Sequence, residues 1–154
     1  MQLPLSINRR HLILGSLLLP AIGMAAAPQP LIEVWKDPSC GCCKDWIVAI
    51  RQAGFTVNVF ETGNNGMRAQ LGLPAKLGSC HTARVAGYVI EGHVPVRDIK
   101  RLLLEKHDAL GLTVPGMKVG SPGMDGPIYK GRKDPYQVLL VRRDSSTTVY
   151  QSYS

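Results

Sequence analysis

The sequence contains little that could hold a protein in a membrane. Its longest apolar run, residues 12–22, is interrupted by glycine, serine and proline. That run is shorter than the roughly 20 residues that span a bilayer, and no later segment is apolar enough to cross one. We therefore expect no membrane association once the N-terminal segment has been removed.

Aromatic residues are scarce, at 6% of the chain, and no basic stripe is interleaved with them. The formal net charge is +7, but the lysines and arginines are scattered along the sequence. Proteins that bind nucleic acid concentrate positive charge on one face or along one element. The composition therefore predicts a mildly basic, solvated surface and no nucleic-acid partner.

Cysteine is also scarce, and its distribution argues against a framework of structural disulfides. Three of the four cysteines are Cys40, Cys42 and Cys43, and the fourth, Cys80, stands apart. Every pairing scheme leaves one bridge within the first three, where the closed loop is too small to remove much unfolded-chain entropy. A bridge between Cys42 and Cys43 would also be strained. Soft-metal ligation or thiol chemistry explains the clustering better.

The N-terminal residues 1–27 predict a cleavable export signal. Arg9 and Arg10 precede the apolar run, and small residues at positions 23–27 offer a peptidase site, with cleavage expected after Ala25. The arginine pair resembles a twin-arginine signal, and an ordinary secretory signal or an uncleaved anchor are the alternatives. Residues 28–154 then form a single domain without internal repeats or linkers, large enough for its own core.

The rest of the sequence predicts a mixed α/β (α+β) fold of the thioredoxin-like type. The expected order is β-α-β-α-β-β-α, followed by a loop and a C-terminal β-hairpin, with a Cys-x-x-Cys spacing at the first strand-to-helix junction. In this architecture the loop entering the third strand packs against the cysteine motif, so we expect Cys80 and His81 to lie near the first three cysteines. The predicted ranges are strands 31–35, 55–60, 82–85 and 88–91, helices 42–53, 67–71 and 95–106, a loop over 112–134 without helix or strand periodicity, and hairpin strands 137–142 and 147–150.

The spacing of Cys40 and Cys43 lets both sulfurs face one point at the start of a helix. Free backbone N–H groups and the positive end of the helix dipole stabilise thiolates there. Cys42 is unusual for a redox dithiol, because a third thiol would form unproductive disulfides. It is useful if several metal ions share bridging sulfurs. The motif therefore favours a metal site, and a multinuclear thiolate cluster is the specific form that we expect.

Further candidate ligands follow the cysteines. His81 adjoins the fourth cysteine and His93 lies at a predicted turn, and each is either a ligand or a hydrogen-bonded structural histidine. Met117 and Met124 each follow a Pro-Gly pair in the predicted loop, and the alternative for both is packing onto apolar surface. A thioether suits Cu(I) or Ag(I) and suits Zn(II) poorly. The combined donors therefore predict a copper(I) site, at which silver could also bind.

Several long motifs also occur together in an order typical of one known family. They are Ser39-Cys40-Gly41-Cys42-Cys43, Ser79-Cys80-His81-Thr82-Ala83, Gly87-Tyr88-Val89-Ile90-Glu91-Gly92-His93-Val94-Pro95, Pro115-Gly116-Met117, Gly120-Ser121-Pro122-Gly123-Met124 and Asp134-Pro135-Tyr136. These motifs resemble the CopG-type copper-resistance family, and the resemblance covers residues 31–150. It implies a periplasmic, thioredoxin-like protein that binds copper in copper or silver tolerance. It also implies the four cysteines as ligands and, less directly, the two histidines and two methionines named above.

Functions of two different classes remain open from the sequence. The first is an exported copper-binding protein that acts with other periplasmic copper-handling proteins. The second is a periplasmic thiol–disulfide oxidoreductase that uses Cys40 and Cys43 without metal. A hybrid is a copper-dependent oxidoreductase that converts copper between its two oxidation states. Against simple oxidoreductase activity, Cys80-His81 stands where thioredoxin-like enzymes usually carry a cis proline that keeps metal out.

Overall fold

One mixed β-sheet organises the protein, as seen in a computed structural model that describes residues 29–154. Within that range there are seven strands, three α-helices and two short 3₁₀ turns, the turns lying at Ala75–Leu77 and Pro127–Tyr129. The strands are β1 (Ile32–Lys36), β2 (Val57–Phe60), β3 (His81–Val85), β4 (Tyr88–Glu91), β5 (Gly111–Thr113), β6 (Tyr136–Val141) and β7 (Thr147–Tyr153). The helices are α1 (Gly41–Gln52), α2 (Asn65–Gln70) and α3 (Val96–Glu105).

The strand order in the sheet is β2-β1-β3-β4-β5-β6-β7. Strand β1 pairs parallel with β2 and antiparallel with β3, and β3 pairs antiparallel with β4. These four strands, together with α1, α2 and α3, have the connectivity of a thioredoxin-like core. Strand β5 adds parallel to β4, and the β6–β7 hairpin completes the sheet through antiparallel pairing of β6 with β5.

Two helices cover one face of the sheet and enclose the main core. Helix α1 contributes Trp46 and Ile50, and α3 contributes Ile99 and Leu102, all fully buried. Their spacing of three or four residues places them on one stripe of each helix. On the opposite face a smaller cluster contains Leu73, Leu77, Val89 and Val141. The sheet is therefore covered on both sides at β4, next to the loop that carries Cys80.

The predicted fold class is confirmed, and the first seven elements occur in the predicted order with ends shifted by a few residues. The 112–134 segment was predicted to lack helix and strand, and this is wrong at two places: it contains most of β5 and one 3₁₀ turn. Strand β5 escapes sequence analysis because three buried residues are too few to display a period. Without β5, the terminal hairpin would have no partner in the sheet.

The predicted export signal, residues 1–27, lies outside the described residues. Among residues 29–154, the helices are all too short and too polar to serve as a membrane span.

Strand β5 also generates a prediction about stability. A Cβ at Gly111 would lie 1.8 Å from the Val89 carbonyl oxygen in the neighbouring strand. We expect Gly111→Ala to lower the free energy of unfolding by about 1–3 kcal/mol, the usual cost of forcing extra atoms into a packed site, as measured by urea denaturation. Gly126→Ala is the matched control, because nothing lies within 4 Å of its Cβ position. Equal unfolding midpoints for the two variants would contradict the close β4–β5 approach.

Candidate metal centre

The turn between β1 and α1 places three cysteines at the start of the helix. The Asp37 side chain accepts a hydrogen bond from the Ser39 backbone N–H at 2.8 Å and stabilises this turn. Cys40 is the N-cap of α1, and its Sγ accepts a hydrogen bond from the Cys43 N–H at 3.3 Å. The helix begins at Gly41, one residue before the predicted start, so Cys42 and Cys43 lie in its first turn.

The four cysteine sulfurs form one compact group. Cys40 and Cys43 are joined by a disulfide, and Cys42 and Cys80 are half-buried free thiols. The Cys42 Sγ lies 3.6 Å from the Cys40 Sγ and 4.0 Å from the Cys80 Sγ. All four sulfurs lie within 4.8 Å of one another. The fold therefore brings Cys80 to the helix start, as the element order predicted, and the group could hold a metal ion once the disulfide is reduced.

His93 presents a defined nitrogen to Cys80. Its Nδ1 lies 2.8 Å from the Pro122 carbonyl oxygen, and its Nε2 lies 3.0 Å from the Cys80 Sγ. A carbonyl oxygen can only accept, so Nδ1 must carry the proton and donate. In the neutral imidazole Nε2 then has a free lone pair directed at the Cys80 thiol. This is the arrangement of many metal-bound histidines, whose second nitrogen is fixed by a hydrogen bond to a carbonyl or carboxylate.

His81 is fully buried beside the same thiol. Its ring lies 4.4 Å from the Trp46 ring and 5.1 Å from the His93 ring, between centroids. Nδ1 lies 3.5 Å from the Cys80 Sγ, and Nε2 has no hydrogen-bond partner among residues 29–154. Cys80, His81 and His93 thus form a second group of donor atoms within 4.8 Å of one another, and it shares Cys80 with the sulfur group.

Burial sets the protonation of these groups. It raises the pKa of the Cys80 thiol to about 12, and the neighbouring Cys42 adds to this rise. Burial lowers the pKa of His81 well below its usual value, helped by His93, and it also lowers the pKa of His93. Both imidazoles are therefore neutral at neutral pH, which is the form that binds metal. The Cys80 thiol is therefore protonated at neutral pH, and a metal ion would have to displace that proton in order to bind.

The predicted methionine loop packs against the cysteine helix through Gly123. A Cβ at this position would lie 2.5 Å from the Cys42 carbonyl oxygen and 2.8 Å from the Trp46 backbone nitrogen, and its φ of +85° also favours glycine. The next residue, Met124, is 7% exposed, and its Sδ accepts a hydrogen bond from the Tyr129 hydroxyl at 3.1 Å. The Pro122 carbonyl already described belongs to the same segment, so this part of the loop is fixed to both α1 and His93.

Met117 occupies a different environment. It is 58% exposed, although the residue before it, Gly116, contacts the loop that precedes Cys80. The Gly116 N–H donates to the Gly78 carbonyl at 3.1 Å, and the Gly116 carbonyl accepts from the Ser79 hydroxyl. The two methionines are therefore not equivalent: Met124 is buried beside the cysteine helix, and Met117 is exposed near the entrance of β3.

Lys36 is a buried polar residue beside the site for which the sequence predicts no role. Lys36 is 1% exposed, and its ammonium donates to the Asp37 carbonyl at 2.7 Å and to Glu61 at 3.0 Å. It pairs with His81 across β1 and β3. Its burial could have been predicted from the sequence. Residues two apart in a strand share a face, so Lys36 lies on the same face as the apolar Ile32 and Val34.

Comparison with known proteins gives a consistent family. Residues 77–124 match the family described as "Protein of unknown function, DUF411". Two solved structures, copper resistance protein CopG in its form 2 and form 1, are 42% and 41% identical to this chain, each with a TM-score of 0.75. The form 2 match covers 82% of this chain and 99% of the CopG chain, and the form 1 match covers 81% and 98%.

No curated protein sequence matches the chain. The solved structures are nevertheless about two-fifths identical to it over an aligned region that covers almost their whole length. The chain belongs to the CopG-type copper-resistance family.

Proposed function

We propose that this protein binds Cu(I) in copper resistance, through the thiolates of Cys40, Cys42, Cys43 and Cys80. The observation that carries the proposal is the gathering of all four sulfurs within 4.8 Å of one another, although Cys80 lies far from the others in sequence. The name of the related solved structures, copper resistance protein CopG, supports copper as the metal. Copper is the cargo of this site, and silver could bind in the same way.

The chemistry of the donors favours a monovalent soft metal. Thiolates, imidazoles and thioethers together suit Cu(I). Structural zinc sites usually combine two short pairs of ligands, whereas this chain offers one clustered motif and the single Cys80-His81 step. The lone pair of His93 Nε2 and the unpartnered nitrogen of His81 add imidazole donors beside Cys80.

Four thiolates in so small a volume favour more than one bound ion. A thiolate can bridge two Cu(I) ions, and Cys42 lies between Cys40 and Cys80, 3.6 Å and 4.0 Å from their sulfurs. Binding by all four requires the Cys40–Cys43 disulfide to accept two electrons and two protons from a thiol reductant. The thiol protons then leave as copper binds.

The methionines have separate roles in this proposal. Met124 lies buried next to α1 and would contribute its thioether to the bound metal or close the site over it. Met117 is exposed and would capture incoming copper. The Tyr129 hydroxyl bonded to the Met124 Sδ would compete with a metal ion for the lone pairs of that sulfur.

A thiol–disulfide oxidoreductase is the second candidate, and the Cys40–Cys43 disulfide specifically favours it. In the reduced form of such an enzyme, one thiolate of the pair would attack a substrate disulfide to form a mixed disulfide and release one substrate thiol. The second thiolate would then attack the mixed disulfide, so that the Cys40–Cys43 bond re-forms and the other substrate thiol leaves. Cys42 and the methionines would be dispensable. A third variant joins the two candidates, with electrons passing between the thiols and copper so that the bound metal changes oxidation state.

The proposed place of action is the periplasm. Residues 1–27 would direct export, with cleavage after Ala25, and the domain formed by residues 28–154 would then act in an oxidising compartment. Partner proteins there would deliver or accept copper and would keep the site reduced.

The first test separates metal binding from dithiol chemistry. The reduced protein titrated with Cu(I) under anaerobic conditions is expected to bind more than one ion per chain, as measured by metal analysis after gel filtration. Cys42→Ser should lower that number because it removes the bridging thiolate but leaves the Cys40–Cys43 pair intact. A parallel assay of insulin reduction should give no activity above that of the reductant alone.

The opposite pattern would support the oxidoreductase. If Cys42→Ser binds as many Cu(I) ions as the parent, the shared-thiolate cluster is wrong. If the metal-free protein reduces insulin and loses that activity in Cys40→Ser, the second candidate replaces the first.

The second test concerns Met124. Met124→Leu keeps the side-chain volume, so the free energy of unfolding should change by less than about 1.5 kcal/mol. The Kd for Cu(I), measured by competition with a chromogenic chelator, should nevertheless rise because a thioether donor is lost. Met67→Leu, at a half-buried position on α2, is the matched control and should leave the Kd unchanged. Equal Kd values for the two variants would remove Met124 from the site.

A further inference from the structure

The residue before Cys80 has both of its backbone polar groups bonded to side chains from other elements. The Ser79 N–H donates to Glu91 Oε1 at 2.6 Å. The Ser79 carbonyl accepts from Arg68 Nη2 at 2.5 Å and from Asn64 Nδ2 at 3.1 Å. Most loop residues satisfy these groups with water or with neighbouring backbone. The peptide that leads into Cys80 is instead fixed on both sides.

The three side chains that hold Ser79, which we call the Ser79 clamp, are Asn64, Arg68 and Glu91. They are also bonded to one another or to a shared partner. Arg68 Nε donates to Glu91 Oε1 at 2.8 Å. The Thr82 hydroxyl donates to Glu91 Oε2 at 2.6 Å and accepts from Asn64 Nδ2 at 3.2 Å. The network therefore links the start of α2, the end of β4 and both neighbours of the Cys80-His81 pair.

The clamp is buried and closely packed against the residues around it. Glu91 is fully buried, and Asn64 and Arg68 are each 9% exposed. A Cβ at Gly78 would lie 2.7 Å from Arg68 Cζ, and a Cβ at Gly92 would lie 2.5 Å from Ser79 Cβ. Glycines on both sides thus allow the guanidinium and the Ser79 backbone to approach as closely as the hydrogen bonds require.

Stability alone is a weak reason for such a network. Removing two charges from water costs about as much as their attraction returns, and a buried ion pair is often replaceable by apolar residues. The Arg68–Glu91 pair also orients the Ser79 peptide, because the guanidinium and the carboxylate hydrogen-bond to that peptide at fixed angles. The peptide so fixed carries the one cysteine that must be brought to the other three.

We propose that Asn64, Arg68 and Glu91 are positioning residues for Cys80: by holding the Ser79 peptide they keep the Cys80 sulfur within reach of Cys42 and His93. This inference rests on the proposed function for its biological meaning, although the positioning itself can be measured without metal. The clamp side chains are hydrogen-bonded to none of the four sulfurs and act through the Ser79 backbone.

The metal-free test uses the disulfide form of the protein, in which Cys42 and Cys80 are the free thiols. Each thiol is alkylated with iodoacetamide, and mass spectrometry of the peptides gives the ratio of the Cys80 rate to the Cys42 rate. Cys42 serves as the internal reference, because general loosening of the fold would raise both rates. We expect the ratio to rise in Glu91→Ala and in Arg68→Lys, which keeps the positive charge but lacks the fork that reaches Glu91 and Ser79 together.

The metal-dependent test measures the Kd for Cu(I) of the same variants after reduction. Loss of residues that orient a metal ligand typically weakens binding about 10–100-fold, and we expect that range for Glu91→Ala. Glu91→Gln should recover part of the affinity, because its amide oxygen can still accept the Ser79 N–H. A variant that is folded by circular dichroism but weak in binding is the expected result.

Two controls separate positioning from simple destabilisation. Leu102→Ala removes a fully buried side chain of the main core on α3, a helix that contributes no residue to the clamp. Glu33→Gln breaks the ion pair of Glu33 with Arg84 between β1 and β3, where the Arg84 Nη2 lies 2.6 Å from the Glu33 carboxylate. Neither should change the alkylation ratio or the Kd.

An unchanged ratio and Kd in Arg68→Lys and Glu91→Gln as well as in Glu91→Ala would overturn the positioning role. Leu102→Ala effects as large as those of the clamp variants would overturn it too. If the parent binds no Cu(I) but the clamp variants still raise the alkylation ratio, the proposed function fails and the positioning role stands.

Discussion

The antiparallel pairing of β1 with β3 is the constraint on which the rest of the site depends. In its register Lys36 lies opposite His81 and Trp35 lies opposite Thr82. The end of the strand that leads into the cysteine helix is therefore beside the start of the strand that follows Cys80. A slip of one residue would turn His81 to the other face of the sheet. Buried residues on both strands, among them Val34 and Ala83, make such a slip costly.

Most of the fold can be predicted from local patterns in the sequence. Helix α1 repeats buried residues at Cys43, Trp46, Ile47 and Ile50, and this helical spacing can be recognised in the amino-acid sequence itself. The methionine loop is different because its order comes from single long-range contacts. The His93–Pro122 hydrogen bond and the packing of Gly123 on α1 have no period. The sequence of this segment therefore predicts an irregular loop, although these contacts hold the segment in one position.

The site likewise has features that can be predicted from the sequence and features that cannot. The clustered cysteines and the element order were enough to predict that Cys80 would meet them, because topology alone brings the two loops together. The residues that control its geometry were not predictable. In the sequence, Glu91 and Arg68 look like ordinary strand and helix residues. They are distinguished by their burial and by their shared hydrogen-bond partner, Ser79. The roles of the ligands themselves remain predictions.

In the proposed function, the disulfide and the metal would compete for the same sulfurs. With Cys40 and Cys43 joined, the sulfurs left as thiols are those of Cys42 and Cys80, which lie 4.0 Å apart. Reduction of the disulfide leaves the imidazoles beside Cys80 unchanged, because the two rings take no part in the transfer of electrons. The number of thiolates available to a proposed copper ion would thus depend on the redox state of one pair. If the site binds metal as proposed, the number of bound ions would be coupled to thiol oxidation through shared sulfur atoms, without requiring any change of fold.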